Sequence, residues 1–228
     1  MFVDEPVATW EQHGLLAAMY ENRISRCSFQ LMALSTRYAN LLHALATDAD
    51  IIISERSIES DRACFADVNL DTAEDVAAYS ASHDALSGAL PNDIKRATVF
   101  LHAPRSVLMQ RIAKRGRECE EKLEKLIAEE EDPVAAGGVP EEYLARLDEA
   151  HERLWARTPE DARKWVDATR SEADVAEAVL ACIDELCEAT LEGPLKPVAK
   201  LGSGAASIVQ SPTSVIEGTT AMAAADAQ

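Results

Sequence analysis

Basic residues are scarce in this chain. Twenty-two Lys and Arg stand against 40 Asp and Glu, a net charge of −18. Long-range repulsion therefore opposes a nucleic-acid backbone or an anionic membrane as the main partner. No apolar stretch is long enough to span a bilayer. Met1 leads into Phe2-Val3-Asp4-Glu5-Pro6, without the charged n-region and apolar h-region of a signal peptide. Cysteine is limited to five residues (27, 64, 119, 182 and 187), an odd number with no C-x-x-C pair. That excludes a disulfide scaffold and a zinc ribbon, and it reads as reduced thiols in a reducing compartment, cytosol or organelle. What remains is 228 residues, 47% hydrophobic and 27% charged. This is the composition of one packed soluble domain, or of one domain with a tail.

The patterning alternates between two periods. A short strand is expected at 2–4, stopped by Pro6, and a short helix at 15–21. Residues 25–46 read as a long helix, because Leu31, Leu34, Tyr38, Leu41, Leu42 and Leu45 recur at spacings of three and four. Ile51-Ile52-Ile53 is apolar without alternation, which suits a parallel strand buried on both faces. Thr72 is the expected N-cap of a helix running to about Leu90, before Pro91. A second strand follows at 97–101. A helix then opens near Pro104 and breaks at Gly116, and another runs from 139 to about 157. A last strand at 164–167 and a closing helix at 171–192 complete the series. Strands alternating with helices predict an α/β fold with a parallel sheet. From 193 to 228 Gly, Ser, Ala, Thr and Pro dominate and no period survives, so this segment is expected to be a disordered low-complexity tail on a domain of residues 1–192.

Four local features carry chemistry. Glu5 follows the first strand, and ligands of open α/β sheets bind outside the carboxyl ends of the strands. Glu55 and Arg56 follow the second strand, with Asp61-Arg62 just beyond. Gln30, Ala33 and Arg37 share one face of the long helix, and an Arg beside an apolar stripe needs a carboxylate or polar ligand. Arg105, Arg111, Lys114, Arg115 and Arg117 form a dense cationic strip, too small for a duplex but suited to clamping an oligophosphate. Each feature also has a plainer reading. These are a solvated loop acid, a surface Glu-Arg pair, an exposed polar face, and ion pairing with Glu118, Glu120 and Glu121.

Together these blocks resemble the deoxynucleoside kinase family over most of residues 3–190. Glu5-Pro6-Val7 with Trp10 is similar to the family's E-P-V-x-x-W. Met19-Tyr20 and Phe29-Gln30 resemble its sugar- and base-binding helix pair. Glu55-Arg56-Ser57, with Asp61-Arg62 and Phe65, resembles E-R-S…D-R…F. Arg111 to Arg117, reading R-x-x-x-R-G-R, resembles the lid, and Val139-Pro140 with Tyr143-Leu144, His151 and Trp155 resembles the segment after it. The resemblance implies a three-layer P-loop-kinase-type sheet flanked by helices and ATP-dependent phosphorylation of a deoxyribonucleoside 5′-hydroxyl in nucleotide salvage. It also implies a Mg²⁺ cofactor and a homodimer. Glu5 would be the general base and Arg56 its partner at the 5′-oxygen, with Glu55 on Mg²⁺. Tyr20 and Glu120 would bind the sugar 3′-hydroxyl. Gln30 would read the base edge, with Trp10, Phe29 and Phe65 around the ring. Arg111 would lie against adenine, with Arg115 and Arg117 on the phosphates. Ala33, Arg37 and Asp61 resemble the branch that accepts deoxycytidine and deoxypurines rather than thymidine.

Two features depart from the family pattern. No G-x-x-x-x-G-K-[ST] phosphate loop occurs anywhere in the chain, which begins at the family's second strand. The expectation is an incomplete N-terminus lacking a strand–loop–helix unit, a chain inactive as it stands, and a sheet damaged by loss of an interior strand. The second is an acidic insertion at about 121–136, after Glu120. Two other readings remain: a nucleoside-monophosphate kinase, and a non-catalytic structural subunit of the same superfamily.

Overall fold

The computed structural model describes residues 1–115, 141–190 and 214–220. The acidic insertion, Arg117, Glu120, Cys119 and residues 191–213 and 221–228 lie outside the described residues.

Among the described residues five strands form one fully parallel sheet: β1 (Phe2–Val3), β2 (Ile51–Glu55), β3 (Lys95–His102), β4 (Arg163–Asp167) and β5 (Ser214–Thr220). Their spatial order is β1-β2-β5-β3-β4. The expectation of a disordered tail therefore fails for Ser214–Thr220, and the sheet is continuous. β5 pairs with β2 on one side (Ile52 opposite Val215, Glu55 opposite Gly218) and with β3 on the other (Ala97 opposite Ile216, Leu101 opposite Thr220). Local composition hid this strand because its partners lie more than a hundred residues earlier. Val215, Ile216, Thr219 and Thr220 supply its only signal, a short β-branched segment after a Gly- and Pro-containing stretch.

Helices cover both faces. α1 (Val7–Gln12) and α2 (Leu15–Tyr20) meet at Gly14, whose φ of +66° is the left-handed turn that glycine adopts without strain. α1 was not expected. Six residues carry no readable period, and burial of Trp10 holds this turn of helix in place. α3 (Arg26–Leu45) opens with Ser25 accepting the Ser28 N–H at 3.0 Å. Its stripe packs as expected, with Leu34 fully buried and Leu31, Tyr38, Leu41 and Leu45 around it, but Leu42 is exposed. α6 (Ala73–Gly88) is capped by Thr72 as predicted.

Between β2 and α6 runs a helical segment the patterning did not reveal. It comprises α4 (Ile58–Ser60), a π-helical stretch at Asp61–Ala66, and α5 (Asp67–Asn69). α7 (Arg105–Arg115), α8 (Glu141–Arg157) and α9 (Glu172–Thr190) follow their predicted positions. β3 shows why the sheet has two covered faces. Ala97, Val99 and Leu101 pack with Ile183, Leu186 and Cys187 of α9, whereas Phe100 meets the Trp155 ring of α8 edge-on at 5.1 Å. Among the described residues no helix is long and apolar enough to cross a membrane, and Cys27, Cys64, Cys182 and Cys187 are free thiols.

Candidate active site

β2 extends two residues further than expected, so Ser54 and Glu55 belong to the strand and Arg56 is the residue that leaves it. Arg56 has φ +65°, a conformation uncommon for a side chain larger than Asn. Such a backbone costs on the order of 1–3 kcal/mol and persists only when its surroundings enforce it. Here Ser54 Oγ donates to the Arg56 carbonyl at 2.8 Å, and Ser57 and Ser60 immediately close a capping box on α4. The turn aims the buried guanidinium across the Phe65 ring, 4.3 Å from its centroid, towards Glu5.

Glu5 follows β1 across a tight turn in which the Val7 N–H reaches the Glu5 carbonyl at 2.8 Å. Its Oε1 lies 3.1 Å from Arg56 Nε and is also bonded by Arg37 Nη2 from α3. Arg37 Nη1 in turn bonds Asp61 Oδ1, and the Tyr79 hydroxyl donates to Asp61 Oδ2 at 2.7 Å. The result is one buried row: Arg56, Glu5, Arg37, Asp61, Tyr79. Two guanidinium groups balance two carboxylates, which is how a low-dielectric interior tolerates them. At the Arg37–Asp61 end both Arg37 Nη atoms and both Asp61 oxygens are bonded, and Arg37 Nε alone lacks a partner. At the other end Arg56 Nη1 has no hydrogen-bond partner, and Arg56 Nε approaches Glu5 without hydrogen-bond alignment. The open Arg56 donors belong to the residue that leaves β2 at the carboxyl edge of the sheet.

The electrostatics follow from this row. Burial alone would push the Glu5 carboxyl up, but Arg56 and Arg37 together outweigh it and hold Glu5 below the usual carboxylate range. Glu55, half-buried beside it, moves the opposite way: burial and the Glu5 charge raise its carboxyl against the pull of Arg56. Arg37 is held more firmly charged, since Asp61 and Glu5 overcome the effect of its burial. Beyond Phe65, burial lowers His151 to about 4, so its ring is neutral. His151 Nδ1 stands 2.7 Å from the Leu147 carbonyl and must carry the proton.

A second wall comes from α1, α2 and α3. Trp10 and Phe29 meet edge-on at 5.4 Å, with Leu16, Ala33, Met19 and Tyr20 packed around them. Trp10 is pinned by its Nε1–H to Thr36 Oγ1 at 3.1 Å, and the Arg37 guanidinium lies over its ring. Gln30 is 4% exposed, on the same face as Ala33 and Arg37, and its side-chain amide makes no hydrogen bond to the described residues.

Thus Glu5, Arg37, Arg56 and Asp61 come together, with Trp10, Phe29, Gln30, Ala33 and Phe65 around them. The direct Arg37–Glu5 bond was not anticipated, nor was Tyr79. Its only signal was that Tyr79 and His83 share a face of α6, one turn apart. Arg62 points away, pairing with the exposed Asp84 at 2.7 Å. Arg111 is on α7 as expected, where its Nη2 donates to the Ala168 carbonyl at 2.6 Å after β4. Arg115 ends the same helix.

The site thus sets a guanidinium-held carboxylate at the carboxyl edge of a parallel sheet, where open α/β sheets bind ligands, beside the buried Trp10–Phe29 cluster. The family model described as Deoxynucleoside kinase matches residues 1–188, and the chain belongs to that family. The family implies a P-loop kinase fold, with a nucleoside and ATP as substrates. No curated protein matches the chain.

Proposed function

We propose that this site binds a deoxyribonucleoside with its 5′-hydroxyl at Glu5, for phosphorylation by ATP, and that deoxycytidine, deoxyadenosine and deoxyguanosine are preferred to thymidine. The observation that carries the reading is the placement of Glu5 between two buried arginines at the carboxyl edge, with Arg56 donors left open towards it.

Glu5 takes the proton from the 5′-hydroxyl. The freed oxygen pair forms a bond to the γ-phosphorus, the bond from that phosphorus to its bridging oxygen breaks, and ADP leaves. A carboxylate held below its usual range is a weak base. That suffices where the transition state is loose and positioning with charge neutralisation does most of the catalysis. The open guanidinium of Arg56 meets the negative charge on the transferring group. Glu55, its carboxyl raised by burial and by Glu5, fits as a holder of Mg²⁺, since a divalent cation relieves that crowding of carboxylates. When bound, the ion supplies neutralisation of phosphate charge. Gln30 pairs with the base edge between Trp10, Phe29 and Phe65, beside Ala33, and Tyr20 with Glu120 takes the 3′-hydroxyl. Arg37–Asp61 fills the space that a thymine methyl would need. Arg111, Arg115 and Arg117 serve the ATP.

The sequence of residues 1–228 contains no G-x-x-x-x-G-K-[ST] motif, the pattern of a loop that holds phosphates with backbone N–H groups and a lysine. We therefore expect this chain to bind deoxycytidine yet transfer phosphoryl groups negligibly. That same observation favours a second reading, a non-catalytic member that retains the nucleoside site. Calorimetric titration of purified 1–228 with deoxycytidine, alongside a radiolabelled ATP transfer assay, tests both statements. No binding overturns the nucleoside site, and robust turnover overturns the expected inactivity.

A further inference from the structure

Trp10 stands where the two parts of the site meet. On one side its ring meets Phe29 edge-on at 5.4 Å. On the other the Arg37 guanidinium of the charged row lies over the same ring, 5.1 Å from its centroid. Yet α1, which carries Trp10, is six residues long and has no side-chain cap. A helix that short is not held by its own hydrogen bonds, so it cannot fix a ring unaided. The ring is 4% exposed, and its indole N–H is taken by Thr36 Oγ1 of α3 at 3.1 Å, 26 residues away in sequence.

The surroundings of Thr36 prepare it for that bond. It precedes Arg37 by one residue and follows Ala33 by three. A hydroxyl has one proton and two lone pairs, whereas an indole nitrogen can only donate. The Thr36 proton is committed to the helix's own carbonyls, with Oγ1 3.0 Å from both the Met32 and the Ala33 oxygens. That fixes the hydroxyl rotor and leaves a lone pair for the indole. We propose that Thr36 is a positioning residue of the nucleoside site. Its hydroxyl fixes the Trp10 ring, and through that ring both the Phe29 wall beside the base and the Arg37 guanidinium. It acts through Trp10 rather than by contact with the nucleoside. The inference rests on the nucleoside reading above and adds a residue to it. Ser35, its neighbour, makes the same kind of helix bond without the indole: its exposed hydroxyl donates to the Leu31 carbonyl at 2.7 Å.

The test is calorimetric titration of residues 1–228 with deoxycytidine in a set of variants. Thr36→Val keeps the shape and removes the acceptor. The indole N–H is then left without its partner, and affinity should fall about tenfold. Thr36→Ser, which keeps the hydroxyl, should bind like the parent, and Ser35→Ala should leave affinity unchanged. Trp10→Phe removes the donor. In that background Thr36→Val should cost no further affinity, because residues acting as one unit are not additive. The proposal is overturned if Thr36→Val binds like the parent, or if Thr36→Ser binds as poorly as Thr36→Val. It is also overturned if Ser35→Ala loses as much, or if the Thr36→Val loss recurs in full on Trp10→Phe. Where Trp10→Phe binds too weakly to titrate, the contrast between the two Thr36 variants decides, and Thr36→Ala replaces Thr36→Val if the latter does not fold. A parent chain that does not bind deoxycytidine overturns the nucleoside reading and this role with it. A parent that binds, with indifferent variants, overturns the role of Thr36 alone.

Discussion

The β1–β2 half of the sheet and the β3–β4 half are built from different interiors. Around β1 and β2 the buried groups include Gln30, Ser54, Arg37, Arg56 and Asp61, and the last three are joined through Glu5 into one charged row. Around β3 and β4 the interior is Ala97, Val99, Val166, Ile183, Leu186 and aromatic rings, and the charged pair Lys164–Glu185 stays at the surface. Apolar packing tolerates loss of any one member at the cost of a cavity. A buried charge row does not, because each member is the solvation of the next. The half with the more fragile interior is the half that holds the candidate chemistry.

The most severe test of that contrast is Asp61→Ala. It leaves the buried Arg37 and Arg56 guanidinium groups sharing the single Glu5 carboxylate and should destabilise the protein by about 3–5 kcal/mol, read from urea denaturation. Adding Arg37→Met should recover most of the loss, since an apolar replacement of the whole pair is tolerated where half a pair is not. The double variant should also bind thymidine more tightly relative to deoxycytidine. An unchanged ranking in titration calorimetry would place Arg37 and Asp61 away from the base.

In the apolar half, Leu186→Ala should cost about 2–5 kcal/mol by transfer and cavity terms, with deoxycytidine affinity unaltered in the folded fraction. A parallel loss of affinity would show that the two halves are not energetically separate. A smaller effect is expected from Tyr79→Phe, which removes one hydroxyl from Asp61 and leaves the ring in place. Loss of a hydrogen bond to a charged group predicts about 1.5–3 kcal/mol. A value near zero would mean that Asp61 needs only Arg37.

The smallest effect is a slope. Glu5 titrates below its ordinary value near 4.5 in the folded protein. Its contribution to stability is therefore fully present above that ordinary value and is lost as pH falls through the depressed folded value. Between pH 5 and 3 the native protein should lose stability more steeply than Glu5→Gln. Equal slopes in acid-range denaturation curves would show that Arg37 and Arg56 do not hold the carboxylate.

The sequence by itself determined the alternation of strands and helices and most of their positions. Those signals are local: a stripe on 25–46, a β-branched run at Ile51–Ile53, and a cap at Thr72 can each be read within one window. Position at strand ends also singled out Glu5 and Arg56, since parallel sheets place ligands there. Three things only the tertiary structure decided. The left-handed backbone at Arg56 depends on Ser54 and on the capping box that follows it, not on a glycine. Tyr79 joined the charged row because α6 packs against α3 and the π-helical turn carrying Asp61, and the pattern of α6 alone showed little of that. Ser214–Thr220 became the central strand because both of its edges found partners more than a hundred residues away. Pairing of that kind is a property of the assembled sheet, and a seven-residue segment carries almost none of it in its own composition.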